Sequence, residues 1–142
     1  MRCPKAVVAG VLLWALSATA SAEAPREVSH GVPWLAESST LIRVTVEALP
    51  DARMRRTEAK RASARRLARR FALRAIDAFV DRSLSRYALD LRRHAAVRAA
   101  IAEAVSVQAS VALVDHGVRM TLQVPVDVIE RVSGVSEIEW AR

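Results

Sequence analysis

Thirty residues from Ala52 to about Asp81 contain neither glycine nor proline, and segments that alternate apolar and polar residues lie on both sides of them. A helical period between strand periods restricts the chain to folds that mix helix and sheet. In the helical stretch Ala64, Ala68, Phe71, Ala72, Ala75, Ile76 and Phe79 recur at steps of three and four, giving one apolar stripe. Its alanines permit close approach to a sheet. Such a helix would reach roughly 45 Å, and its first half outruns the strong stripe and is expected to project toward solvent.

The segment before it, Leu41 to Leu49, sets Ile42, Val44, Val46 and Ala48 on one side and Arg43, Thr45 and Glu47 on the other, as a half-buried strand does. Pro50 ends it, and Asp51 is expected to cap the helix. Ser83 to Ser85 offers a break, and Arg86 to Glu103 reads as a second helix with Tyr87, Leu91, Ala95 and Ile101 or Ala102 turned inward. Fusion of the two helices around a kink is the alternative. Ala104 to Val114 alternates again, with Val105, Val107, Ala109, Val111 and Leu113 expected on one face. Asp115-His116-Gly117 supplies a turn in which glycine suits a positive φ. Val118, Met120, Leu122, Val124 and Val126 form the returning strand, with Pro125 at an edge or near its end. Asp127 can cap a short helical turn through Val132, Gly134 ends it, and Val135 to Trp140 forms a last short strand or a tail.

These elements predict an α+β two-layer sandwich in the order β-α-α-β-β plus a short C-terminal helical turn. Two helices cover one face of a three-stranded, largely antiparallel sheet, and the other face meets water. The domain spans residues 40–132, with an extended lead-in at 23–39 in which Trp34 and Leu35 dock at the core edge, and a tail at 133–142.

Residues 1–22 have the layout of a secretory signal peptide: Arg2 and Lys5, an apolar run from Ala6 to Leu16, and the cleavage-like Ala20-Ser21-Ala22. An exported, periplasmic chain is expected, with an uncleaved inner-membrane anchor as the alternative. The single cysteine, Cys3, falls in that leader. The mature chain therefore holds no thiol, and its stability must come from burial.

Charge is concentrated. The whole chain carries 22 basic and 15 acidic groups, a net of +7. Between Arg53 and Arg74 there are ten basic residues and one acid, Glu58. The pairs Arg56/Lys60, Arg61/Arg65, Arg65/Arg69, Arg66/Arg70 and Arg70/Arg74 stand one turn apart and together oppose the isolated helix by about 1–2 kcal/mol at low salt. A bound anion or acidic surface would relieve that repulsion. Arg55, Arg56, Lys60, Arg66, Arg69, Arg70 and Arg74 are the candidate anion- or partner-binding residues. Nucleic acid is not expected as the partner of an exported chain, and the helix offers only Phe71 and Phe79 as aromatic platforms, both on the expected core stripe.

Other chemistry is sparse. His30, His94 and His116 show no metal-ligand spacing, and neither metal nor cofactor is expected. Asp77 and Asp81 share a helix face, but Arg74, Arg82 and Arg86 surround them, which favours ion pairing over acid–base work. Ser83 and Ser85 are read as caps. There is no glycine-rich phosphate loop. An enzyme is not expected, and convergence of Asp77, Asp81 and His94 in one cleft would argue otherwise.

Three segments together carry a resemblance: the strand Ile42 to Ala48, the Ala/Arg-rich helix after it, and the hairpin ending His116-Gly117-Val118-Arg119-Met120-Thr121-Leu122-Gln123-Val124-Pro125-Val126. The chain resembles the small exported domains of the lipoprotein-20 family and the amino-terminal domain of flagellar assembly protein T, from Leu41 to about Val132. Ala48-Leu49-Pro50 stands where those domains have a glycine, and the lipid-modified cysteine of the lipoprotein members has no counterpart. The resemblance implies a cell-envelope setting and a role as an assembly module acting by protein–protein contact, without catalytic residues. Anionic lipid or glycan binding through the basic helix at 53–74 is the alternative.

Overall fold

The computed structural model describes residues 34–35 and 40–141. The elements follow as β1 (Trp34–Leu35), β2 (Leu41–Ala48), α1 (Thr57–Leu84), α2 (Leu91–Ala104), β3 (Ser106–Ala112), β4 (Val118–Pro125) and α3 (Val126–Ser133). The leader at 1–22 and the rest of the lead-in lie outside the described residues. The class is α+β: the long strands form an antiparallel sheet ordered β2-β4-β3, and β1 adds two residues beside β2.

Cross-strand register explains the core. Ile42 faces Val124, Val44 faces Leu122, Val46 faces Met120 and Ala48 faces Val118, and all eight are buried. The shared face of β2 and β4 is thus apolar along its length. Across it runs α1, 28 residues long, about 42 Å at 1.5 Å per residue. Its buried stripe is Ala64, Ala68, Ala72, Ile76, Val80 and Leu84, each four after the last. The first half of the helix does not project into solvent as expected, because alanines bring its backbone down onto the sheet from Ala64 onward. Phe71 is not on the core stripe; it is 42% exposed.

The helix ends differ from the sequence reading. Asp51 does not cap α1. Its Oδ1 accepts from the Arg53 amide (2.9 Å) and its carbonyl from the Met54 amide (3.1 Å), a local turn that short polar side chains favour. The Asp51 amide in turn donates to Ser63 Oγ at 3.1 Å, pinning this loop to the helix. α1 begins at Thr57, with Arg56 at the N-cap and Glu58 in the first turn, where a carboxylate suits the helix dipole. Ser83 lies inside α1, buried, and donates to the Phe79 carbonyl at 2.9 Å rather than capping anything. The helices are separate. Asp90 caps α2 by accepting from the Arg93 amide at 2.7 Å, so the helix starts at Leu91 instead of Arg86. Val97 and Ile101 are its buried residues. Leu91, Ala95 and Ala102 are exposed and half-buried Tyr87 precedes the helix, because packing on α3 buries the side of α2 that carries Val97 and Ile101.

The hairpin of β3 and β4 is present, but the expected single apolar face of β3 is not. A bulge between Val107 and Ala109 shifts the register. Val107, Ser110 and Ala112 oppose the buried Leu122, Met120 and Val118, whereas Ala109 and Val111 oppose Thr121 and Arg119 on the other face. In the turn, His116 takes the positive φ (59°), not Gly117. Gly117 is needed for space: a Cβ there would lie 3.0 Å from the Ala48 carbonyl oxygen.

Pro125 sits at the end of β4 and serves as N-cap of α3, while Asp127 pairs with Arg131 at 3.5 Å instead of capping. Gly134, at φ 72°, closes α3. The segment after it forms no strand: Ile138 is buried and Trp140 stacks on Phe79. The helices do not cover all three long strands. α1 lies on β2 and β4, α2 packs chiefly on α3, and every residue of β3 is exposed.

Candidate interaction surface

The basic segment occupies two settings. Arg55 and Arg56 precede α1, whereas Lys60, Arg66, Arg69, Arg70 and Arg74 stand on it; Lys60 is half-buried and the others exposed. None of them, nor Arg61 or Arg65, has an ion-pair partner among the described residues. Four acids engage cations elsewhere: Glu47 pairs with Arg119 (2.6 Å), Asp81 with Arg98, Glu139 with Arg86 (2.7 Å) and Asp127 with Arg131. The fold therefore leaves one cationic ridge uncompensated.

Helical phase divides that ridge. Arg65 and Arg69 follow the buried Ala64 and Ala68 by one position, and the same series continues through Leu73 and Asp77 to Asp81. Arg66 and Arg70 are one position further around, on the outward face. The opposite flank, Ser63 and Leu67, meets the loop after β2. There, Leu49, Pro50, Met54 and Leu67 wall a cleft of about 330 Å³ whose rim carries Arg66 and Arg70. Leu49 is 64% exposed. The outward charges were legible in the sequence; the apolar cleft beside them was not, because it joins residues from two segments.

The far face of the sheet is polar but is not simply wetted, as the sequence suggested. The Thr45 and Thr121 hydroxyls share a hydrogen bond of 2.8 Å, and Thr45 is buried. Arg43 and Gln123 oppose each other across β2 and β4, and Arg43 Nε and Gln123 Oε1 are enclosed without hydrogen bonds.

Asp81 and His94 do converge. His94 Nδ1 lies 3.4 Å from Asp81 Oδ1, and Arg98 holds Oδ2. Burial pushes the Asp77 carboxyl above its ordinary range, the charge of Arg98 opposes that rise and the charge of Asp81 adds to it. The cluster joins α1 to α2, with His94 beside one Asp81 oxygen and Arg98 on the other. Among the described residues no group of histidine, cysteine and carboxylate side chains could hold a metal ion, and no helix is long and apolar enough to cross a membrane.

No protein-family model, curated protein or solved structure matches this chain.

Proposed function

We propose that this chain is a non-enzymatic module of the cell envelope that acts by protein–protein contact, in assembly of an envelope structure or appendage. The observation that carries the reading is the uncompensated ridge from Arg55 to Arg74, most of it on a helix whose alanine side packs on β2 and β4. Like charges one turn apart raise the free energy of the isolated surface, and a partner's carboxylates offset that cost. The signal-peptide layout of residues 1–22 and the resemblance to lipoprotein-20 and flagellar assembly domains support the periplasmic setting. Charge reversal at Arg66 and Arg70 tests the ridge. The circular dichroism spectrum is expected to stay unchanged while capture of the envelope partner is lost; retained capture removes the outward face of the helix from the proposal.

A second reading, binding of an anionic lipid or glycan, is favoured by the cleft. Apolar Leu49, Met54 and Leu67 lie beneath Arg66 and Arg70, an arrangement suited to an amphiphile with an anionic head. Polyanion binding weakens steeply with salt, whereas a protein interface with an apolar centre weakens less. Absence of binding to anionic liposomes or lipopolysaccharide at low salt would eliminate this reading.

A further inference from the structure

We propose that the groove between the Arg61–Arg65–Arg69 flank of α1 and the uncovered helix-side face of β3 is the docking site for an acidic amphipathic helix of a partner protein. The inference rests on the reading of this chain as a protein-contact module and names both the surface and the partner's chemistry.

The groove follows from an incomplete layer. Strands repeat every ~4.8 Å and packed helices every ~8–10 Å, so one helix covers about two strands. α1 covers β2 and β4. A second helix belongs beside it, over β3, but α2 is drawn to α3 and packs little on the sheet. All seven residues of β3 are left exposed. Val107, Ser110 and Ala112, which oppose the buried Leu122, Met120 and Val118, form an open floor, and Val107 is 47% exposed. Ser110 and Ala112 are small, as are the alanines on which α1 itself approaches the sheet.

The arginines form the wall. Ser63 and Leu67 meet the loop after β2, which fixes the β2 side of the first half of α1. Arg65 and Arg69 follow the buried Ala64 and Ala68 by one position, on the opposite flank and toward β3 in the order β2-β4-β3, with Arg61 one turn before them. Arg61, Arg65 and Arg69 thus stand over the open floor at one-turn intervals, ~6 Å apart, without an ion-pair partner among the described residues. A helix carrying Asp or Glu at four-residue steps beside an apolar stripe complements both wall and floor.

Other occupants fit less well. A strand added to the outer edge of β3 would meet the bulge at Gln108, a feature that disrupts edge pairing, and would leave the arginines above it unused. A bilayer is too flat to reach the floor of a groove one helix wide. Among the described residues a second copy has no exposed acidic helix to offer: α1 and α2 present mainly arginine, and the acids of α3 lie on eight residues packed against α2.

A photo-crosslinking residue at Ser110 of the full chain, expressed in its own cells, tests the site. The adduct is sequenced, and a synthetic peptide of the captured segment is titrated against purified protein. The expected adduct is an acidic amphipathic segment that gains helical circular dichroism on binding. Its affinity should fall roughly tenfold or more with R61E/R65E/R69E, and fall again with Val107→Lys, while a protein reversed at an exposed arginine of α2, R92E, stays within about threefold of wild type. An adduct with a second copy, a lipid or a neutral strand-forming segment overturns the proposal. So does no adduct, or an affinity within threefold after reversal of the Arg61 flank in a protein whose circular dichroism is unchanged. If the groove fails in this way while R66E/R70E still abolishes partner capture, the contact-module reading survives on the outward face. If neither reversal alters capture, both readings fall.

Discussion

The rings of Phe79 and Trp140 lie face to face, 5.7 Å between centroids and 5° from parallel. This contact fastens the last residues of the described chain to the end of α1. The same seam carries two backbone bonds: Ala141 N–H donates to Ser83 Oγ (3.0 Å) and Glu139 N–H to the Tyr87 hydroxyl (3.0 Å). Ser83 is therefore a buried relay, accepting from the tail while donating to its own helix. Trp140→Ala should cost about 2 kcal/mol, less than a fully buried tryptophan because the ring is only half-buried. Ser83→Ala should cost about 1 kcal/mol by stranding the Ala141 amide. Since both act on one seam, the double variant should lose less than the sum, as read by urea unfolding.

The alanine stripe of α1 makes a sharper prediction. Ala68 is fully buried between helix and sheet, and a larger side chain there must lift the helix. Ala68→Leu should destabilise by about 1–3 kcal/mol through overpacking, although it raises hydrophobicity and keeps helix propensity. Phe71→Ser, three residues on and substantially exposed, should stay within about 1 kcal/mol. Thermal melts of the two variants separate close packing from mere apolar content.

The hairpin turn reverses the usual expectation for its residues. Gly117→Ala should destabilise by about 1–3 kcal/mol, since its methyl would press on the Ala48 carbonyl (3.0 Å) and Leu49 Cδ2 (3.3 Å). His116→Val should cost about 1–2 kcal/mol because a β-branched residue resists the left-handed φ of 59°. His116→Gly should be close to neutral, the relieved strain being offset by added freedom in the unfolded chain. Denaturant midpoints of the three variants check this order.

Asp77 should give stability a distinct pH dependence. Burial raises its carboxyl pKa in the folded state above the ordinary value of 3.8, with Arg98 opposing and Asp81 reinforcing the rise. The folded protein therefore takes up this proton before the unfolded chain does. The group favours folding most below 3.8, and that contribution fades as pH rises through the folded pKa. The charged groups acting on it are Arg98 and Asp81. Asp77→Asn should raise the Tm at pH 7 and match wild type below about pH 4. A lower Tm for this variant at pH 7 would show that the attraction of Arg98 outweighs burial.

The sequence by itself determined the pieces whose signals are local. Alternation in Leu41–Ala48 and Val118–Val124 set the buried faces, because side chains on a strand can only alternate. Four-residue steps from Ala64 to Ile76 placed the core side of α1, and Gly134 marked the end of α3 because only glycine enters the left-handed region freely. The density of arginine from Arg53 to Arg74 was visible as composition. Tertiary structure decided what depends on a neighbour. The bulge at Gln108 splits the valines of β3 between two faces, since register is set by pairing with β4 and not by the strand's own pattern. Packing of α2 on α3 selected Val97 for burial and left Leu91 outside. Asp81, His94 and Arg98 met only because α2 folds back along α1. The division of the arginines into a flank beside the buried alanines and an outward face came from where the helix lies on the sheet, because a period fixes which residues share a side but not what that side will touch.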